Sequence, residues 1–183
     1  MGEPGMCWKN IKEHYRIDHI VQVTGEGICV GSGFIHNIIV IGLDGKLKKR
    51  YDDHHNEDLM RYQREMDADP EMLRQLLETP DTFSRSVTVY TYDGGNIIEK
   101  LCEEPGYPNV THDGCLMHTN MYSTDKDKVV TWAKRNAMAA ITNIARTISD
   151  IEEKLAEKRP LLAEYEGYSR KLKADYPSVT DTE

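Results

Sequence analysis

The run AMAAITNIARTISDIEEKLAEKRPLLAEYEGYSRKL, residues 137–172, keeps an uninterrupted 4-3 spacing through Ala137, Ile141, Ile144, Ile148, Ile151, Leu155, Lys158, Leu162, Tyr165, Ser169 and Leu172. A repeat averaging 3.5 residues holds one helical stripe toward a second helix over its whole length, so the run predicts a long coiled-coil-like helix built for contact. Ile141, Ile148, Leu155 and Leu162 take the a positions, and Ile144, Ile151, Tyr165 and Leu172 take the d positions. These eight are the expected oligomer or partner interface. Isoleucine at both seam positions favours more than two strands in parallel assemblies, while Lys158 and Ser169 weaken the distal half. Ala137, Ala140, Ala145, Trp132 and Met138 broaden the proximal face, which is expected to pack on the sheet of its own or a neighbouring subunit. The distal half, rich in Glu and Lys, is expected to project.

Outward from the seam, Thr124 is the expected helix cap, with Asp127 at the reciprocal capping-box position. Asp125 and Asp127 suit the positive end of the helix dipole, and Arg170, Lys171 and Lys173 suit the negative end near Ala174. Pro160 removes an amide and crowds the preceding turn, which allows either a kinked continuous helix or a break into a helical hairpin. The 4-3 phase passes through Pro160 unchanged, and Pro160 and Gly167 both fall on the outermost heptad position, which favours the kinked continuous helix.

Upstream, residues 17–52 read as an antiparallel meander. Ile17 to Val23 and Ile28 to Val30 flank a Gly25-Glu26-Gly27 turn, Phe34 to Ile41 forms a longer strand, and Asp44-Gly45 turns into an edge strand, Lys46 to Tyr51. A second hairpin joins Val87–Tyr92 to Ile97–Leu101 through Asp93-Gly94-Gly95-Asn96. Between them, Leu59, Tyr62 and Met66 share one helical face. Asp69 then caps a second short helix opened by Pro70 and carrying Met72, Leu73, Leu76 and Leu77 inward. Residues 103–122 read as a long loop. The expected fold is therefore α+β: a small antiparallel β-sheet of hairpins, about six strands in all, with short covering helices and a long C-terminal coiled-coil-like helix. The expected organisation is an N-terminal segment 1–16, with Gly2 to Gly5 disordered; an α+β domain 17–122 with an acidic surface; the long helix 123–176; and a disordered tail 177–183.

Composition narrows the function classes. With 183 residues and 39% hydrophobic content, the chain supports one modest core and an appendage. The net charge of −8 sits in residues 1–124, which hold 20 acidic against 12 basic residues, whereas residues 125–183 hold 11 of each. That field repels phosphate backbones, so non-specific nucleic-acid binding is disfavoured and a basic protein surface is the better-matched partner. Glu57, Asp58, Glu103 and Glu104 are the residues expected to form the acidic partner surface. No apolar run is long enough for a membrane span and no export signal opens the chain, so the expectation is a soluble cytoplasmic protein without membrane contact. The scattered Cys7, Cys29, Cys102 and Cys115 fit free thiols in a reducing compartment.

Candidate chemistry is sparse. His112, Cys115 and His118 sit three residues apart and supply zinc-type donors, but the spacing matches no common zinc pattern. A fourth ligand would have to come from Cys102, His54 or His55. Asp52-Asp53-His54-His55 gathers carboxylates and imidazoles after a strand, although neighbouring side chains there point apart. The glycines at 25, 27, 31 and 33 lack the following helix that would hold a phosphate. Neither a catalytic residue nor a cofactor is assigned. A metal-dependent hydrolase or nuclease on the His112, Cys115 and His118 loop is the alternative function.

Tyr107-Pro108-Asn109-Val110-Thr111-His112-Asp113-Gly114-Cys115-Leu116-Met117-His118, with Asn120 and Trp132-Ala133-Lys134-Arg135-Asn136-Ala137, resembles small uncharacterised proteins encoded by bacteriophages of enteric bacteria. The resemblance spans residues 107–137, about a sixth of the chain, and carries no site residues. It implies a host cytoplasm and an accessory role, commonly interference with a host or defence protein. The expected function is thus a non-enzymatic binding protein that partners itself and another protein, with a structural subunit as a further alternative.

Overall fold

Residues 20–41 are rich in β-branched side chains, and an extended backbone sends every second one to the same face. In a computed structural model, which describes residues 7–178, β1 (Ile20–Thr24), β2 (Gly27–Gly31), β3 (Ile39–Ile41) and β4 (Leu47–Lys49) form an antiparallel sheet in the order β1-β2-β3-β4. Val21 opposes Val30, Ile28 opposes Ile41 and Val30 opposes Ile39. These residues line one buried face, while the opposed pair Cys29 and Val40 alternates to the other. The chain divides into two units, Met1–Ala133 and Lys134–Glu183, and the sheet belongs to the first.

Three short helices complete the core of that unit. In α2 (Glu57–Ala68), Asn56 caps by accepting from the Leu59 amide at 3.1 Å, and Leu59, Tyr62 and Met66 are buried. In α3 (Pro70–Glu78), Asp69 accepts from the Met72 amide at 2.9 Å and Leu73 is buried, as the sequence pattern predicts. The third helix, α1 (Trp8–His14), falls in the N-terminal segment 1–16, outside the expected α+β domain 17–122. It has no local side-chain cap. Its first amides, Lys9 N–H and Asn10 N–H, instead donate to the two carboxylate oxygens of Asp81 at 3.0 and 2.8 Å. Trp8, Ile11, Tyr15 and Ile17 then enter the same core as the sheet.

β5 (Val87–Asp93) and β6 (Asn96–Cys102) form a separate antiparallel hairpin with Asp93 opposite Asn96, so the six strands make two sheets rather than one. Val89, Cys102 and Met117 build a small second cluster there. The segment 103–122 ties the two sheets together: His112 N–H donates to Leu101 O at 2.7 Å, and Val23 N–H donates to Gly114 O at 2.8 Å. Gly114 has a φ of +86° and lies directly on Val23, so any side chain there meets both strain and a clash.

Other expectations need correction. Ile17 is buried but precedes β1, and the strand expected from Phe34 shrinks to Ile39–Ile41. The Ser32 hydroxyl accepts from the Phe34 and Ile35 amides, and Gly31 leaves no room between its own backbone and the carbonyls of Ile35 and His36. That local turn outcompetes the ladder and leaves Phe34 wholly exposed. The strand expected over Lys46 to Tyr51 is Leu47–Lys49.

The long helix, α4 (Lys126–Asp175), is continuous, with Pro160 inside it, so the break into a helical hairpin does not occur. Its cap is Asp125 rather than Thr124: the Asp125 carboxylate accepts from the Asp127 and Lys128 amides at 3.0 and 3.2 Å. The tail and the opening glycines, residues 179–183 and 1–6, lie outside the described residues.

Ile11 is fully buried where α1 meets the sheet and helices, so Ile11→Ala removes several methyl groups from a packed site. The expected loss is about 2–5 kcal/mol of unfolding free energy, read from urea denaturation. A change below about 1 kcal/mol would mean that α1 does not share the core's cooperative unit.

Candidate functional site

On α4 the seam positions form one continuous stripe, which drifts about 20° per heptad around a straight helix of 3.6 residues per turn. Ile141, Ile144, Ile148, Ile151, Leu155, Leu162, Tyr165 and Leu172 are all between 50% and 63% exposed. Met138 and the four isoleucines of the proximal face are exposed. Val129 is the buried residue of this helix. On other faces, Thr142 and Thr147 satisfy their hydroxyls on carbonyls one turn back, and Tyr168 stands edge-on to Tyr165 with centroids 5.6 Å apart. The result is a long apolar stripe bordered by polar side chains, an arrangement suited to receiving another helix.

The histidine and cysteine candidates go to three separate partnerships. His112 stacks on Phe83 with centroids 3.7 Å apart. Its backbone carbonyl accepts from the Trp8 indole at 3.1 Å. Cys115 receives the Lys100 ammonium at 3.1 Å, and that ammonium also pairs with Asp113. Burial works against the Lys100 charge, but Asp113 and Cys115 outweigh it and push the Lys100 pKa up. His118 is exposed and stacks loosely on Tyr107 at 6.4 Å. Asp53 and His55 bond to each other on the surface. Among the described residues, no group of three or more His, Cys, Asp or Glu is placed to hold a metal ion.

The acidic candidates are also divided. Glu57 and Asp58 open α2, with Asp58 3.7 Å from Arg61. Glu103 and Glu104 follow β6 and meet cations of their own unit: Glu103 accepts from Lys9 at 2.9 Å, and Glu104 reaches Arg85 at 3.5 Å. A groove of about 360 Å³ lies beside them, lined by Lys9, Lys12 and Arg85 as well as Glu13, Asp18, Glu103 and Glu104. Its charges largely cancel, so Glu103 and Glu104 serve the fold before they serve a partner. Phe34 and Ile35, expected in a strand, are exposed on the loop after β2. Of the features read from the sequence, the glycines at 31 and 33 lie nearest to them. No helix among the described residues is long and apolar enough to cross a membrane.

Glu103 makes a testable electrostatic contribution. Burial raises its pKa, but the Lys9 ammonium together with the Ser84 amide and hydroxyl outweighs this and holds it at about 2, against an ordinary 4.5. A depressed carboxylate stabilises the fold fully above its unfolded pKa and ceases to do so as pH falls through the folded one. Urea midpoints should therefore fall between pH 4.5 and 2, and Glu103→Gln should lower the neutral-pH midpoint while flattening that acid limb. An unchanged acid limb in the variant would show that the Lys9 pair does not bear on stability. In comparisons with known proteins, no family model matches the chain, and neither a curated protein nor a solved structure proves similar to it.

Proposed function

We propose that this chain is a non-enzymatic interaction protein that associates with a second copy through α4 and presents its acidic α+β unit to a protein partner. The observation that carries the reading is the exposed, uninterrupted seam from Ile141 to Leu172. Moving each Ile or Leu of such a seam out of water is worth on the order of 1–2 kcal/mol, a free energy that a lone helix leaves unrealised. The resemblance of residues 107–120 and 132–137 to phage-encoded accessory proteins supports a setting in which a host or defence component is inhibited or sequestered. The acidic excess of residues 1–124 favours encounter with a basic surface over a purely structural role. A hydrolase built on His112, Cys115 and His118 has no comparable support, because their side chains engage Phe83, Lys100 and Tyr107 separately.

Light scattering at micromolar concentration should give a mass above that of one chain. Ile148→Asp should return it to a single chain while the globular unit keeps its near-ultraviolet circular dichroism, because a seam charge would have to be desolvated unpaired. A monomeric wild-type mass overturns self-association. For a partner isolated from bacterial lysate, the association rate should fall as salt rises, and Glu57→Gln with Asp58→Asn should reproduce part of that fall. Indifference to both would leave the acidic unit as a scaffold only.

A further inference from the structure

We infer that α4 pairs antiparallel with α4 of a second copy, in the register that sets Ala137 opposite Tyr176; this rests on the self-association proposed above and adds its direction and register. In a parallel pair in register each seam residue meets itself, so Lys158 meets Lys158 and Ser169 meets Ser169. Along the flank of that pair Lys154, at g, meets Arg159, at e of the following heptad. Like charges thus collide both within the seam and beside it.

Reversing one helix places a positions against d positions, and e beside e. With Ala137 opposite Tyr176, Ile141 meets Leu172, Ile148 meets Tyr165, and Ile151 meets Leu162. The two polar seam residues are each set against an aliphatic one: Ser169 against Ile144, and Lys158 against Leu155, along which its methylenes can lie while the ammonium reaches water. The flank then carries Glu152 beside Arg159, twice by symmetry. The neighbouring registers are penalised. A slip of one heptad one way puts Glu152 beside Glu152, and one heptad the other way puts Arg159 beside Arg159.

Neither Glu152 nor Arg159 has a charged residue three or four positions away in its own helix: Glu152 has Ile148, Ser149, Leu155 and Ala156, and Arg159 has Leu155, Ala156, Leu162 and Ala163. Their charges are free to act between helices. The register also covers the seam from Ala137 to Tyr176, about 60 Å of helix at 1.5 Å per residue. Coverage of that length is compatible with the roughly 1,200–2,000 Å² buried in stable complexes. Pro160 and Gly167 stay on the outer face, and the opposed helix dipoles favour the antiparallel arrangement.

Arg159→Glu separates the two directions by sign. In the antiparallel pair it sets a new carboxylate beside Glu152, so the dissociation constant from sedimentation equilibrium should rise about tenfold, and adding Glu152→Arg should restore it. In a parallel pair the same change sets that carboxylate beside Lys154 and tightens the dimer. A spin label on Ala139→Cys, in a Cys115→Ser background that leaves the buried Cys7, Cys29 and Cys102, gives an independent reading. The expected label separation is about 50 Å along the axis, against about 20 Å or less for a parallel pair. A dimer that tightens with Arg159→Glu or shows the short distance overturns the antiparallel register and leaves self-association standing. A chain that is monomeric throughout overturns both.

Discussion

The apolar stripe of α4 is the constraint on which the rest of this molecule turns. Eight large seam side chains keep half or more of their surface in water, on a helix that passes through Pro160 without a break. A helix with this much exposed apolar area is poorly matched to an isolated existence, because most helical stability in proteins comes from packing an apolar face. The first unit has met the same requirement internally, closing α1, α2 and α3 over one sheet face. The second unit carries its requirement outward, and for that reason the functional reading rests on association.

Within the first unit, long-range polar contacts join elements that lie far apart in sequence. Asp81 closes the open amides of α1 from 71 or 72 residues away, and Lys9 in the same helix binds Glu103 beyond β6. The segment 103–122 reaches back to both sheets through the carbonyl of Leu101 and the amide of Val23. Helix, loop and hairpin are therefore coupled: the groups that end one element are satisfied by another. The same contacts occupy the residues that looked chemically promising. Cys115 is taken by Lys100, His112 by Phe83, and Glu103 by Lys9, which converts a string of potential ligands and charges into internal fastenings.

The sequence by itself determined the elements whose signals are local. The seam, the Asp69 cap, the Asp44-Gly45 turn and the Asp93 to Asn96 hairpin all depend on residues a few positions apart, and the α+β class with its long helix follows from them. The eight interface candidates were legible for the same reason, since a 3.5-residue period is a property of adjacent turns. Tertiary structure alone decided the rest. It made a helix of residues 8–14, because the cap of that helix lies at Asp81. It split six strands into two sheets, because Thr111 to Leu116 lie between them instead of adding a strand. It sent His112, Cys115 and His118 to three partners, because spacing along a loop does not fix which way each side chain turns. Local periodicity is written in consecutive residues, whereas a cap, a stack or an ion pair between distant segments exists only once packing has brought both partners to the same place.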